Sequence, residues 1–247
     1  TFFYILNREF GFPAEQEEKA IDPLAGGILQ QGYQCGMLWG ASMAVGAEAY
    51  RRIKDTGTAI SVTVKATQII MNSFKEITNT IACEEITNCD FNNKKSFAKY
   101  MLSGKFTACF KLAGKWAPDA IQAAVKGLSE ENIDREIHAV SCASEVIKKM
   151  GGSEKEQIMV AGFAGGLGLS GDACGALSAA VWKTIFELVK QNAWKYKLKD
   201  EFTQGILKRF YEATDYQIEC KDITETTFKD ISEHTMFIES GGCRKLI

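Results

Sequence analysis

The amino-acid sequence predicts an all-α, mostly helical fold in which one cysteine-bearing module occurs twice in tandem with pseudo-two-fold symmetry. Three observations predict this class. Apolar residues recur at helical spacing over several long segments, alternating strand patterns are scarce, and one cysteine-containing block is repeated. Only three prolines interrupt the 247 residues, which favours long regular elements.

The clearest helices are predicted at Met37 to Arg52 and at Ala176 to Lys190. The second carries one apolar stripe at helical spacing, formed by Leu177, Val181, Ile185 and Leu188. Both regions contain small residues four positions apart, so each helix backbone can lie close to another helix or to a cofactor. These small residues are Gly36, Gly40 and Ala44 in the first copy and Gly175 and Ala179 in the second.

A second pair of helices is predicted further along each copy. Apolar positions from Val62 to Ile81 follow helical spacing, and those from Phe202 to Ala213 form the equivalent segment. Thr58 to Val64 is rich in β-branched residues, which leaves a strand open there.

The repeat is clearest in a glycine-rich block. The sequence AGGILQQGYQCG at residues 25–36 matches AGGLGLSGDACG at residues 164–175, an offset of 139 positions. Two shorter blocks follow with nearly the same offset: CEEIT from Cys83 with CKDIT from Cys220, and CFKL from Cys109 with CRKL from Cys243. Three cysteines therefore recur in the same order in both copies.

The repeat places the first module at residues 1–130 and the second at 131–247. We expect the polar stretch Ser129 to Arg135 to join them.

Two cysteines have no partner in the other copy. Cys142 would have its counterpart at Phe3, and Cys89 would have its counterpart at Thr226. The two copies have therefore diverged around a shared set of three cysteines.

The spacing of the eight cysteines disfavours several common sites. No CxxC occurs, which argues against zinc ribbons, rubredoxin-type and thioredoxin-type sites and the bacterial ferredoxin pattern. No CxxCH occurs, so covalent haem c is not expected. The glycine-rich turn fits neither the P-loop nor the dinucleotide-binding pattern, which disfavours nucleotides.

That turn is expected to place Cys35 and Cys174 at or near helix N-termini, where a thiolate is stabilised by the helix dipole. Cysteine often serves as a small core hydrophobe, and disulfides also fit an even count. The shared order of three cysteines favours redox or metal chemistry over both alternatives.

Other candidate residues are interpreted as structural. Glu84, Glu85 and Asp222 follow cysteines in positions that suit the first turn of a helix. The two histidines and four tryptophans are expected to be structural or core residues: His138, His234, Trp39, Trp116, Trp182 and Trp194.

Composition limits the partners. The formal net charge is −2, and no run of lysine and arginine is long enough to contact a phosphate backbone along its length. Nucleic acid is therefore not an expected partner. The longest apolar stretches, Met37 to Ala47 and Ile158 to Leu169, fall short of the roughly 20 residues of a membrane span. The sequence opens at Thr1 without a basic region followed by an apolar run, so we expect that any export signal has been removed or never existed, and periplasm and cytoplasm both remain open.

The cysteine pattern, in which a glycine, two further residues and then CGA follow one another, resembles the redox-active bacterial family named for its C-GCAxxG-C-C pattern. The resemblance covers most of the chain. The second copy has a cysteine at all four family positions: Cys142, Cys174, Cys220 and Cys243. The first copy has three: Cys35, Cys83 and Cys109.

The two-module arrangement also resembles the protein part of split-Soret cytochromes c, although this chain has no CxxCH and only two histidines. The resemblance implies an iron–sulfur or other thiolate-bound redox centre, a homodimer and an anaerobic bacterial source. The seven family cysteines are the implied metal ligands, with the second-copy set as the first choice, and the redox partner is unknown. Four glycines are expected beside the bound group: Gly165, Gly166, Gly171 and Gly175.

Two other functions stay open from the sequence. The chain could be a thiol oxidoreductase in which Cys35 or Cys174 attacks and a second cysteine resolves. It could also be a zinc-stapled structural or interaction protein. A redox carrier is favoured over an enzyme because no constellation for acid–base or nucleophilic catalysis stands out.

Overall fold

The computed structural model describes residues 2–133, 138–195 and 200–247. Helices form all of the regular structure in these ranges. Two isolated antiparallel bridges, Gln34 with Ala82 and Ala173 with Glu219, join extended residues without forming a strand within the described ranges. The predicted all-α class is confirmed.

The helices follow the chain in two series. The first series is α1 Phe2–Glu9, α2 Glu15–Ala20, α3 Gly36–Arg52, α4 Thr56–Thr78, α5 Cys83–Thr87, α6 Lys94–Leu102 and α7 Phe106–Gly127. The second is α8 Cys142–Lys149, α9 Glu154–Met159, α10 Gly175–Lys190, α11 Glu201–Ala213, α12 Cys220–Thr224 and α13 Ile231–Glu239. Short 3₁₀ turns lie at Asp22–Leu24, Glu130–Asn132 and Ala161–Phe163.

The β-branched segment Thr58 to Val64, for which a strand was a possible prediction, lies in the first part of helix α4. The Asp55 carboxylate accepts a hydrogen bond from the Thr58 amide at 2.8 Å and caps this helix. The helix then ends at Thr78, because Asn79 adopts a left-handed conformation with φ 59°. The prediction that the helix extends to Ile81 is therefore wrong: Ile81 lies in the extended link to α5.

The two series of helices are interleaved. Helix α3 packs against α1 of its own series and against α9 of the other, while α10 packs against α8 and against α2. A single core cluster extends across both series, and Trp39, Trp116 and Trp182 are fully buried in it. Each series thus packs one long helix against a short helix of the other series. The pseudo-two-fold relation and the division at residue 130 stay predictions.

The small-residue ridges of α3 and α10 are covered by the same chain. A methyl group on Gly40 would lie 2.9 Å from the Phe3 amide nitrogen of α1. A methyl group on Gly175 would overlap the Phe163 carbonyl. These small residues therefore permit close packing within the chain. They no longer support the predicted homodimer, because they are not free to pack against a second copy. The homodimer itself stays a prediction.

The predicted join between modules begins with the 3₁₀ turn Glu130–Asn132, and Arg135 lies outside the described residues. None of the helices in the described ranges combines the length and apolar character needed to cross a membrane.

Candidate thiol centre

Each cysteine-bearing element of the second module starts at its cysteine. Cys142 is the first residue of α8, Cys220 is the first residue of α12, and Cys174 is the N-cap of α10. In the first module Cys35 caps α3 and Cys83 begins α5. The predicted position of Cys35 and Cys174 at helix N-termini is confirmed.

The glycine-rich turn sets the position of Cys174. The Gly171 amide donates to the Gly165 carbonyl at 2.9 Å and closes the turn. Gly166 has φ 83°, and a side chain there would overlap the backbone of Asp172. These glycines, with Gly175, thus allow the chain to fold tightly just before α10. Their predicted contact with a bound group stays a prediction.

Two backbone hydrogen bonds hold Cys174 beside Cys220. The Cys174 amide donates to the Ile218 carbonyl at 2.8 Å, and the Cys220 amide donates to the Asp172 carbonyl at 2.7 Å. These bonds flank the bridge between Ala173 and Glu219. The two cysteines are therefore held by the main chain as diagonal neighbours across this bridge.

Helix α13 anchors the segment that leads into Cys142. The Val140 amide donates to Thr235 Oγ1 at 3.0 Å, and His234 Nδ1 donates to the Val140 carbonyl at 3.2 Å. The turn after α13 carries Cys243, which is partly buried. His234 itself is buried, which lowers its pKa to about 4, so this histidine is neutral at pH 7 and serves to position the segment.

The four thiols of the second module influence one another electrostatically. Burial, followed by the neighbouring Cys174 and Cys220, raises the pKa of Cys142 well above its ordinary value. Burial and the same kind of repulsion, from Cys174 and Cys243, raise the pKa of Cys220 to about 12. Burial and Cys174 raise the pKa of Cys243 to about 11. This mutual influence places the four sulfur atoms in one neighbourhood.

Backbone N–H groups face the Cys174 sulfur. Hydrogen bonds from the amides of Leu177 and Ala176 partly offset the rise in the Cys174 pKa that burial causes. This is the arrangement expected for a sulfur at a helix N-terminus, and such N–H···S bonds also stabilise sulfur atoms bound to a metal.

The first module repeats the main-chain geometry at two of its three shared cysteines. The Cys35 amide donates to the Ile81 carbonyl at 2.8 Å, and the Cys83 amide donates to the Tyr33 carbonyl at 2.6 Å. The third cysteine differs: Cys109 lies in the first turn of α7, whereas Cys243 lies in a turn with φ 55°.

The first module has its own group of thiols, which includes a cysteine without a repeat partner. Burial, then Cys35, Cys109 and Cys89, raises the pKa of Cys83 above its ordinary range. Cys89 is 1% exposed and receives a hydrogen bond from Ser96 Oγ at 3.9 Å. The repeat gave no reason to place Cys89 with the others.

Tyr100 is the other member that sequence reasoning missed. Its hydroxyl lies 3.4 Å from the sulfur of Cys109. Nothing in the local pattern distinguishes this tyrosine from a core residue. The one signal in the sequence is that Tyr100 lies only nine residues before Cys109. Phe3 is fully buried in the core at the position where the second module has Cys142.

Thiolates are the usual ligands of iron–sulfur clusters and common ligands of zinc, and the second module has four thiols in one neighbourhood. The side chains therefore fit such a group in number and in chemistry. Within the three described ranges, no three His, Cys, Asp or Glu side chains are already assembled into a group that could hold a metal ion. Binding would thus require the thiols to lose their protons and to close around the metal.

The fold and the site together define a class: a helical protein in which buried thiols from several helix N-termini converge, once in each module. The chain belongs to the family described as "Putative redox-active protein (C_GCAxxG_C_C)", whose sequence model matches residues 1–121 and 139–247. The two matched segments confirm the tandem form. No curated protein and no solved structure matches the chain. Membership in this family supports a general redox role.

Proposed function

We propose that this protein is an electron carrier in which the thiolates of the second module bind an iron–sulfur cluster. The ligands would be Cys142, Cys174, Cys220 and Cys243. The observation that carries the proposal is the convergence of these four cysteines from α8, α10, α12 and the turn after α13. A cluster bound there would supply one-electron chemistry at a potential set by its surroundings.

The protein environment suits a bound metal better than a free nucleophile. Burial keeps the Cys174 and Cys220 thiols protonated at neutral pH, whereas an attacking cysteine needs a lowered pKa. A metal cation reverses this balance, because it stabilises the thiolate form directly. The buried setting also excludes water, and the amides of Ala176 and Leu177 are aimed at one ligand sulfur.

A second function, a dithiol–disulfide carrier, is favoured by one specific observation. The thiols are neighbours, yet no group of three described side chains is assembled for a metal ion. Cys174 and Cys220 are diagonal neighbours across the bridge between Ala173 and Glu219, and if their sulfur atoms moved together they would form a disulfide, releasing two electrons and two protons to an external oxidant. Colour distinguishes the two functions, because dithiols and disulfides do not absorb visible light.

The test is the visible spectrum of anaerobically purified protein in two matched Cys→Ser variants. Cys174→Ser should remove most of the absorption, since one ligand of the favoured site is lost. Cys89→Ser should change the spectrum much less, because Cys89 is in the other module. Both positions are almost fully buried, so the cost of introducing a hydroxyl is comparable, about 1 to 3 kcal/mol. A colourless wild-type protein whose cysteines oxidise in pairs would favour the disulfide function.

A further inference from the structure

A strongly basic surface surrounds the first module's least covered shared cysteine. Residues 91–118 contain no aspartate or glutamate, although the whole chain has a net charge of −2. Six lysines lie in this stretch, and we call them the basic face: Lys94, Lys95, Lys99, Lys105, Lys111 and Lys115. All six are exposed. Among the described residues, none is paired with a carboxylate in a salt bridge.

Large apolar side chains are exposed among these lysines. Leu102 is 89% exposed and Phe110 is 74% exposed, and Met101 and Phe106 are also on the surface. A single exposed apolar residue needs no explanation, but four on adjacent helices form a patch. Apolar residues surrounded by charged ones are typical of transient protein interfaces.

The basic face adjoins the thiols of the first module. Cys109 is only partly buried, and it lines a cavity of about 500 Å³ together with Lys105 of the basic face and Glu85 and Ile86 of α5. A second cavity of about 320 Å³ is also lined by Lys105, together with Lys95, Lys99 and Tyr100. One thiol of this module, Cys109, therefore lines a cavity at the edge of the basic face.

The second module has no such surface at the equivalent helix. Helix α13 has Glu233 and Glu239 and contains no lysine. The positive charge is thus a feature of the first module and not of the shared architecture, which argues for a separate role.

We propose that the basic face is the docking surface for an acidic one-electron carrier protein. This inference rests on the proposed function: one electron would pass between the partner, docked on the first module, and the centre bound by the second-module thiols, with one oxidised as the other is reduced. Opposite charges accelerate the encounter of such partners, and their interfaces are small. A flat lipid surface would cover the lysines without filling the cavity beside Cys109, whereas a side chain of a protein partner can enter it.

The test uses an acidic ferredoxin as the probe and measures its dissociation constant at low and at high salt. The variant Lys95→Glu/Lys99→Glu/Lys105→Glu should weaken binding about tenfold or more and remove its salt dependence. A matched control, Lys148→Glu/Lys208→Glu/Lys229→Glu, makes the same change in net charge at exposed positions of the second module. It should change binding by less than about threefold, and Lys→Arg at the first three positions should preserve binding.

Three outcomes would overturn the docking proposal. The first is that the wild-type protein does not bind the ferredoxin, and the second is that the two Glu variants weaken binding equally. The third is that the basic face binds anionic phosphatidylglycerol vesicles or DNA but no ferredoxin. Circular dichroism and thermal unfolding of each variant establish that it is folded. Binding is measured both with the metal-bound protein and with reduced, metal-free protein. Retained binding by a protein that forms no cluster would refute the proposed function and leave the docking surface standing.

Discussion

At the scale of single residues, two features distinguish the cysteines: most of their side chains are buried, and each shared cysteine lies near other cysteines. Six of the eight are buried, and the two partly buried ones are Cys109 and Cys243, the third shared cysteine of each module. A charged thiolate in such a place is unfavourable unless a cation or a hydrogen-bond donor compensates it. These surroundings keep the groups unreactive as free thiols, and under the proposed function a bound cation would supply the missing compensation.

Alkylation measures this effect directly. Because burial and Cys174 raise the pKa of Cys243 to about 11, only about one molecule in ten thousand has a Cys243 thiolate at pH 7. In reduced, metal-free protein, its reaction with iodoacetamide should accelerate about tenfold for each pH unit between 7 and 10, since only the thiolate reacts. Peptide mass spectrometry gives the rate for this residue. A rate that levels off below pH 10, as an ordinary thiol's would, contradicts the raised pKa.

At the scale of secondary-structure elements, the glycine-rich turn and the helix after it form one unit. The turn reverses tightly, the cysteine caps the helix, and the first glycine of the helix lies against the preceding 3₁₀ turn. The cysteine therefore takes its position from backbone packing and not from its own side-chain contacts.

The variant Gly175→Ala tests this packing. A methyl group there would overlap the Phe163 carbonyl, so the free energy of unfolding should fall by about 1 to 3 kcal/mol. Gly114→Ala is the matched control, because Gly114 is also helical and a methyl group there meets nothing within 4 Å. That substitution should raise the free energy of unfolding by about 0.5 to 1 kcal/mol. Equal effects in urea unfolding experiments would refute the close packing of Gly175.

The elements were largely predictable from the sequence, because helical spacing and the repeat are local patterns. Met37 to Arg52 was expected as a helix and the structure begins it one residue earlier, at Gly36. The end of α4 was missed because it depends on the left-handed conformation of Asn79, which periodicity does not reveal. Cys89 and Tyr100 were missed because contacts between side chains on different helices leave no trace in the spacing of one helix.

At the scale of the whole molecule, the two modules are interlocked. Besides the reciprocal helix packing, Gln34 of the first module donates from Nε2 to the Gly166 carbonyl at 2.8 Å and to the Ala173 carbonyl at 3.2 Å. Gln34 directly precedes Cys35, and Ala173 directly precedes Cys174. The polypeptide just before each capping cysteine is thus linked to the other module, which was not predictable from two copies considered separately.

The central claim concerns what the second-module thiols bind, and the most direct measurement is iron, zinc and acid-labile sulfide per chain in anaerobically prepared protein. The wild-type protein should contain iron with about one sulfide per iron, and Cys174→Ser should lose both. Cys89→Ser should retain most of each. Zinc without sulfide, or no metal together with a disulfide among the second-module cysteines, would contradict the account.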